Sequence, residues 1–222
     1  MNRFICLGIL VLSAYVSLGQ KNNVRVYFNT VQFYDPEIGN YLELHFQFDA
    51  RSVKFKSNEN GLQATVYLNI EIKDSIKSFF KDAYLLNSPR FMDSVVEDFY
   101  EVRRVPLPPG LYQINLKIAD QQNDKSLVQG SQLIEVEDFA NKPAVSHIEA
   151  IEIAIPDTAA GVFQKNGFQI VPKINAYYGN QLSKIPFYLE FYPANNSNKA
   201  RIFVEERLID TEGQKEIYRY HQ

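Results

Sequence analysis

Leu42, Leu44, Phe46 and Phe48 alternate with Glu43, His45, Gln47 and Asp49, and this strict period of two narrows what the chain can fold into. Side chains of a strand point alternately to opposite faces, so the pattern predicts a strand with one buried face and one wet one. The alternation recurs at Ala64, Val66, Leu68, Ile70 and Ile72, and again at Tyr112, Ile114, Leu116 and Ile118. Parallel sheets, covered on both sides, read instead as continuous apolar runs. Antiparallel sheets with one solvated face are therefore expected.

Turn chemistry falls between these segments. Asn58-Glu59-Asn60-Gly61 separates two strands, Pro108-Pro109-Gly110 enters a third, and residues 120–125 form a polar loop before a strand at 127–137. Residues 74–98 are ambiguous: Ile76, Phe79, Phe80 and Tyr84 fit one helical face, but Ser88-Pro89 breaks a helix. A strand or short helix followed by a loop is expected there, with another strand near 96–105. About seven strands with almost no helix predict an all-β immunoglobulin-like antiparallel sandwich. Tyr112, opening a late strand after Pro109-Gly110, suits the tyrosine corner of such folds.

Asn141-Lys142-Pro143 marks a boundary, giving a first domain at residues 20–140, a linker at 141–147 and a second sandwich domain at 148–222. The second part offers strands at 148–155, 168–174, 187–192 and 201–209, with a tight primed turn at Asn166-Gly167. Tyr188-Leu189-Glu190 repeats the earlier Tyr41-Leu42-Glu43, as though the second domain were a related sandwich cut short by the chain's end.

Residues 1–19 read as a secretory signal: Arg3, an apolar run over residues 4–18, then Ser17-Leu18-Gly19 before Gln20. Cys6, the single cysteine, lies inside that run, so the exported chain is expected to carry none and to rely on its core for stability. No later segment has the apolar length of a transmembrane helix. A net charge of −3 is too mild to imply a nucleic-acid partner and no basic stripe appears, so none is expected. Arg103-Arg104 is read as a solvated strand end, and Asn195-Asn196-Ser197 as a chance glycosylation sequon.

No constellation carrying chemistry stands out. His45, His147 and His221 are far apart, with no second metal ligand at a fixed spacing, and His45 is expected to be exposed on a polar strand face. Asp120 to Asp124, and Glu135, Glu137 and Asp138, supply oxygens without calcium-loop spacing. Nucleophile elbows and phosphate loops are absent, and Ser75-Ile76-Lys77-Ser78 lacks supporting residues. Glu43 and Glu190 are expected to be outward strand positions rather than a catalytic acid pair. Tyr41, Tyr67, Tyr188 and Tyr192 alternate away from the core, so a glycan platform is an open alternative, although tryptophan is missing.

Three stretches resemble the N-terminal region of the GWxTD domain-containing proteins, secreted bacterial proteins named for a C-terminal Gly-Trp-x-Thr-Asp motif. They are Tyr27-Phe28-Asn29-Thr30 running into Tyr41-Leu42-Glu43-Leu44; Arg104-Val105-Pro106-Leu107-Pro108-Pro109-Gly110-Leu111-Tyr112; and Phe163 with Lys165-Asn166-Gly167 leading to Tyr188, Glu190 and Tyr192. The naming motif itself is absent. The resemblance implies a β-sandwich region of a Gram-negative envelope protein, in the periplasm, at the outer membrane or outside the cell, and brings no catalytic residue. The expectation is a non-enzymatic protein without cofactor or metal, acting in adhesion, scaffolding or contact with another envelope protein. A glycan-binding module and an accessory domain of a larger hydrolase are the alternatives.

Overall fold

The structure is a computed structural model describing residues 23–92, 95–140, 143–157, 159, 161–175, 177–178, 184–192, 205–210 and 215–221. The expected signal at residues 1–19 and the Asn195 sequon lie outside the described residues. The first part contains β1 (Val26–Asp35), β2 (Gly39–Phe48), β3 (Lys56–Asn58), β4 (Gly61–Gln63), β5 (Thr65–Lys73), β6 (Ser78–Asn87), β7 (Phe99–Pro106), β8 (Gly110–Asp120) and β9 (Leu127–Val136). The second contains β10 (Ala144–Val145), β11 (Glu149–Pro156), β12 (Gln164–Lys165), β13 (Phe168–Pro172), β14 (Phe187–Tyr188), β15 (Phe191–Tyr192), β16 (Glu205–Asp210) and β17 (Lys215–His221). All strand pairings are antiparallel. The protein is all-β, as the alternation predicts. No helix among the described residues is long and apolar enough to cross a membrane.

Two sheets, ordered β1-β2-β7 and β6-β5-β8-β9, face one another in the manner of a β-sandwich. Their apolar halves meet in one core. Leu42, Leu44, Phe46 and Phe48 of β2 pack against Val66, Leu68, Ile70 and Ile72 of β5 and Ile114 and Ile118 of β8. Burying one such side chain contributes about 1.5 to 3 kcal/mol, so this alternation drives the assembly of the sandwich. Tyr112 donates its hydroxyl to the carbonyl of Pro108 at 2.8 Å, which closes the corner entering β8.

The ambiguous stretch resolves as strand. β6 pairs with β5 from Thr65 opposite Asn87 to Lys73 opposite Ser78, and its Phe80, Tyr84 and Leu86 pack on the core. A helix there would leave β5 without its outer neighbour, and Ile76 instead sits exposed in the connecting turn.

The second part forms a four-stranded sheet ordered β12-β13-β11-β14, the pair β10-β15 and the hairpin β16-β17. Asn166 at φ 47° and Gly167 at φ 84° make the primed turn joining β12 to β13. Residues 187–192, expected as one alternating strand, are two short ones: β14 pairs with β11, and β15 with β10. Tyr41-Leu42-Glu43 therefore sits within a continuous ten-residue strand, whereas Tyr188-Leu189-Glu190 spans a switch between strand partners. The two tripeptides are not structural equivalents.

β2 departs most from expectation. Every residue of it from Tyr41 to Phe48 is buried, on the polar face as well as the apolar one. The second part lies over that polar face. His147 donates its backbone amide to the carbonyl of Gln32, Tyr192 receives the amide of Tyr34 on its hydroxyl, and Tyr188 packs on Val31, Phe33 and Tyr41.

Candidate functional site

Beneath this cover lies a cluster of ionisable side chains. Glu43 and His45, two residues apart on β2, must project from the same face. Arg104 stands directly opposite Glu43 on β7. From the second part, Glu149 begins β11, and Lys165 ends β12 just before the Asn166-Gly167 turn. Glu43 is 0 % exposed and His45 1 %, with Glu149 and Lys165 also buried. The expected outward Glu43 and exposed His45 are thus corrected. Alternation placed them on the face away from the sandwich core, but that face is roofed.

Lys165 Nζ sits 2.6 Å from Glu43 Oε2 and 2.5 Å from Glu149 Oε2. The ammonium also lies 4.1 Å from the Phe33 ring centre and 5.4 Å from that of Tyr188, so aromatic faces cover the charge not met by carboxylate. Arg104 Nε donates to the other Glu43 oxygen at 2.7 Å, and its guanidinium donates to the carbonyl of Val162 at 3.1 Å. His45 Nε2 lies 2.9 Å from Glu43 Oε2 and 3.7 Å from Glu149 Oε1. Arg104, expected as a solvated strand end, instead ties β7 to both Glu43 and the second part.

The two carboxyls titrate in opposite directions. Burial pushes Glu43 up, but the bond with His45 and the charges of Lys165 and Arg104 outweigh it and hold its pKa at about 2. Burial raises Glu149, and Lys165 compensates only in part, with the Glu43 charge adding to the rise. This asymmetry follows from partner number: Glu43 has two cations in hydrogen-bond contact and Glu149 has one. Two atoms on neighbouring β1 and β2 residues, His45 Nδ1 and Asn29 Oδ1, are buried without a hydrogen bond.

Glu43, His45 and Glu149 offer ligand atoms within 4.8 Å of one another, a spacing that suits a divalent cation. Lys165 Nζ holds the position between the carboxylates that such an ion would take. The ammonium bridges a carboxylate of the first part and one of the second, so it joins the two parts.

The remaining expected residues are dispersed. His147 lies 3.4 Å from Glu137 and edge-on to Phe139, and His221 is in β17. The oxygens of Asp120 accept the amides of Lys54 and Gln122 at 2.9 and 2.8 Å, so this residue shapes its turn. Glu190 accepts hydrogen bonds from Tyr188 and Tyr192 rather than facing open water. The tyrosine platform also comes apart. Tyr41 is buried, Tyr188 and Tyr192 pack into the seam, and Tyr67 lies on the other sheet beside Asn69. Lys165 and Glu149 had no sequence signal, because nothing in the local pattern connects them to Glu43. Comparison with models of known families, with curated proteins and with solved structures gives no match for this chain.

Proposed function

We propose that the protein is an exported, non-catalytic scaffold of the bacterial cell envelope, working through protein–protein contacts or adhesion, with an immunoglobulin-like first sandwich. One observation carries this: the densest convergence of ionisable side chains in the described residues is spent on holding two parts of the molecule together. Glu43, Glu149 and Lys165 neutralise one another inside the seam, and Arg104, partly exposed at its rim, is spent on Glu43. The Tyr112 hydroxyl bonded to Pro108 supports the immunoglobulin-like assignment of the first part.

The test has two arms. Purified protein should turn over none of a panel of chromogenic esters, glycosides, phosphomonoesters and peptides; a turnover abolished by Glu43→Gln in a still-folded protein would overturn the scaffold. In the producing cells, the protein should fractionate with the envelope and begin at Gln20. An uncleaved cytoplasmic protein would rule out export.

Glycan binding has one specific observation in its favour. Asn69, Glu71, Asn115, Lys117, Gln129 and Ser131 line a shallow polar cleft of about 460 Å³ on the outer face of the β6-β5-β8-β9 sheet. Amides and a carboxylate side by side suit sugar hydroxyls, which both donate and accept. A glycan array on which Asn115→Ala loses signal would support this second reading, and a silent array would remove it.

A further inference from the structure

We propose that two copies of this protein join edge to edge through β9, antiparallel, about a twofold axis at Gly130. β9 is the outer strand of its sheet, ten residues long, in unbroken register with β8 and free of proline and lysine. Natural sheets guard such edges with charge, proline, bulges or short strands. The opposite edge follows that rule, since β6 carries Lys81 and Asp82 and a register shift near its start. β9 has no proline, lysine or bulge, and its one charge, Glu135, sits at the far end of the strand.

Its edge is open between a tie just ahead of the strand and one to β1 near its end. At one end, the Val24 amide donates to Ser126 Oγ at 2.6 Å; at the other, Gln32 bonds the carbonyl of Glu135 and the amide of Glu137. Because the Glu135 carbonyl faces the edge, alternation turns the backbone groups of Leu127, Gln129, Ser131 and Leu133 the same way. Those groups are what a neighbouring strand would pair with. The side chains at these positions are solvent-facing too: Leu133 is 80 % exposed and Leu127 41 %.

The sequence along this edge complements itself. A twofold axis at Gly130 sets Leu127 of one copy opposite Leu133 of the other and Gln129 opposite Ser131, each pair occurring twice, and brings Lys125, in the turn just before β9, toward Glu135 at the end of the partner strand. Moving the axis to Ser131 would put Leu127 against Glu135 and Gln129 against Leu133. Moving it to Gln129 would put Lys125 against Leu133. Apolar, polar and charged pairs match together only for the Gly130 axis among these three. Lys125 and Glu135 have no ion-pair partner among the described residues, so both charges are available for the second copy. Four strands from each copy would then make one sheet of eight.

Sedimentation equilibrium of the full chain tests this. The wild type should show a concentration-dependent dimer. Lys125→Glu and Glu135→Lys alone should each weaken it by about tenfold, because each turns two attractions into repulsions. The double exchange should restore it. A cysteine at the axis gives a second readout that does not depend on affinity. A Cβ at residue 130 meets nothing within 4 Å, so Gly130→Cys with Cys6→Ser should fold and yield a covalent dimer on oxidation, whereas Ser131→Cys in the same background should cross-link far less. A monomer at every concentration, a dimer indifferent to both charge reversals, or equal cross-linking at 130 and 131 would each overturn the proposal.

Discussion

Replacing Lys165 by Met would leave Glu43 and Glu149 facing each other inside the seam with their shared cation gone. An uncompensated buried charge of this kind costs about 3 to 5 kcal/mol, read as a lower urea midpoint. Lys165→Ala should be destabilised in the same way yet gain a response the wild type lacks. With the ammonium removed, Glu43, His45 and Glu149 present three ligands to Zn²⁺, so zinc should raise the melting temperature of the variant and leave that of the wild type unchanged. Acid dependence separates the two carboxyls. Glu43, held at about 2, favours the folded state above its ordinary value of 4.5, and this contribution is lost as pH falls toward 2. Glu149, pushed up, acts oppositely: its charged form burdens the fold once pH passes the ordinary value. Glu149→Gln should therefore cost less at pH 7 than Glu43→Gln, and the Glu43→Gln deficit should shrink in urea titrations as pH falls below 4.5. Glu43 and His45 were legible as strand residues on the polar face of β2. Their burial was not, because the cover comes from Glu149 and Lys165, more than a hundred residues later in the chain.

Among the elements, β2, β5 and β8 are the strands whose sequence alone sets their place, since each carries four or more alternating apolar residues. β6 was ambiguous because Phe79, Phe80 and Tyr84 fit either period, and its pairing along β5 decided the matter. β14 and β15 misled for the opposite reason: an unbroken alternation hides a change of partner, which depends on β10 and β11 being in place. The turns offer a graded test. Gly167 lies at φ 84° in open surroundings, so Gly167→Ala should cost about 1 kcal/mol from backbone strain alone. Gly61 lies at φ 103°, and a Cβ there would come 2.5 Å from the Phe91 carbonyl oxygen. Gly61→Ala should cost clearly more than Gly167→Ala in parallel chemical denaturation, because strain and overlap combine.

For the molecule as a whole, the sequence boundary near residues 141–147 suggests two parts that could be separated. The seam argues against that. Without the second part, the Val31, Phe33 and Tyr41 faces would be wetted, and Glu43 and His45 would lose Lys165 and Glu149. A fragment of residues 20–140 should melt well below the full chain or precipitate; an equal melting temperature would show that the seam contributes little. The joint has a further consequence for how the molecule responds to salt. Salt weakens charge pairs that water reaches, but it cannot enter a contact sealed under Phe33 and Tyr188. The Lys165 contacts should thus hold the two parts together from low to high salt.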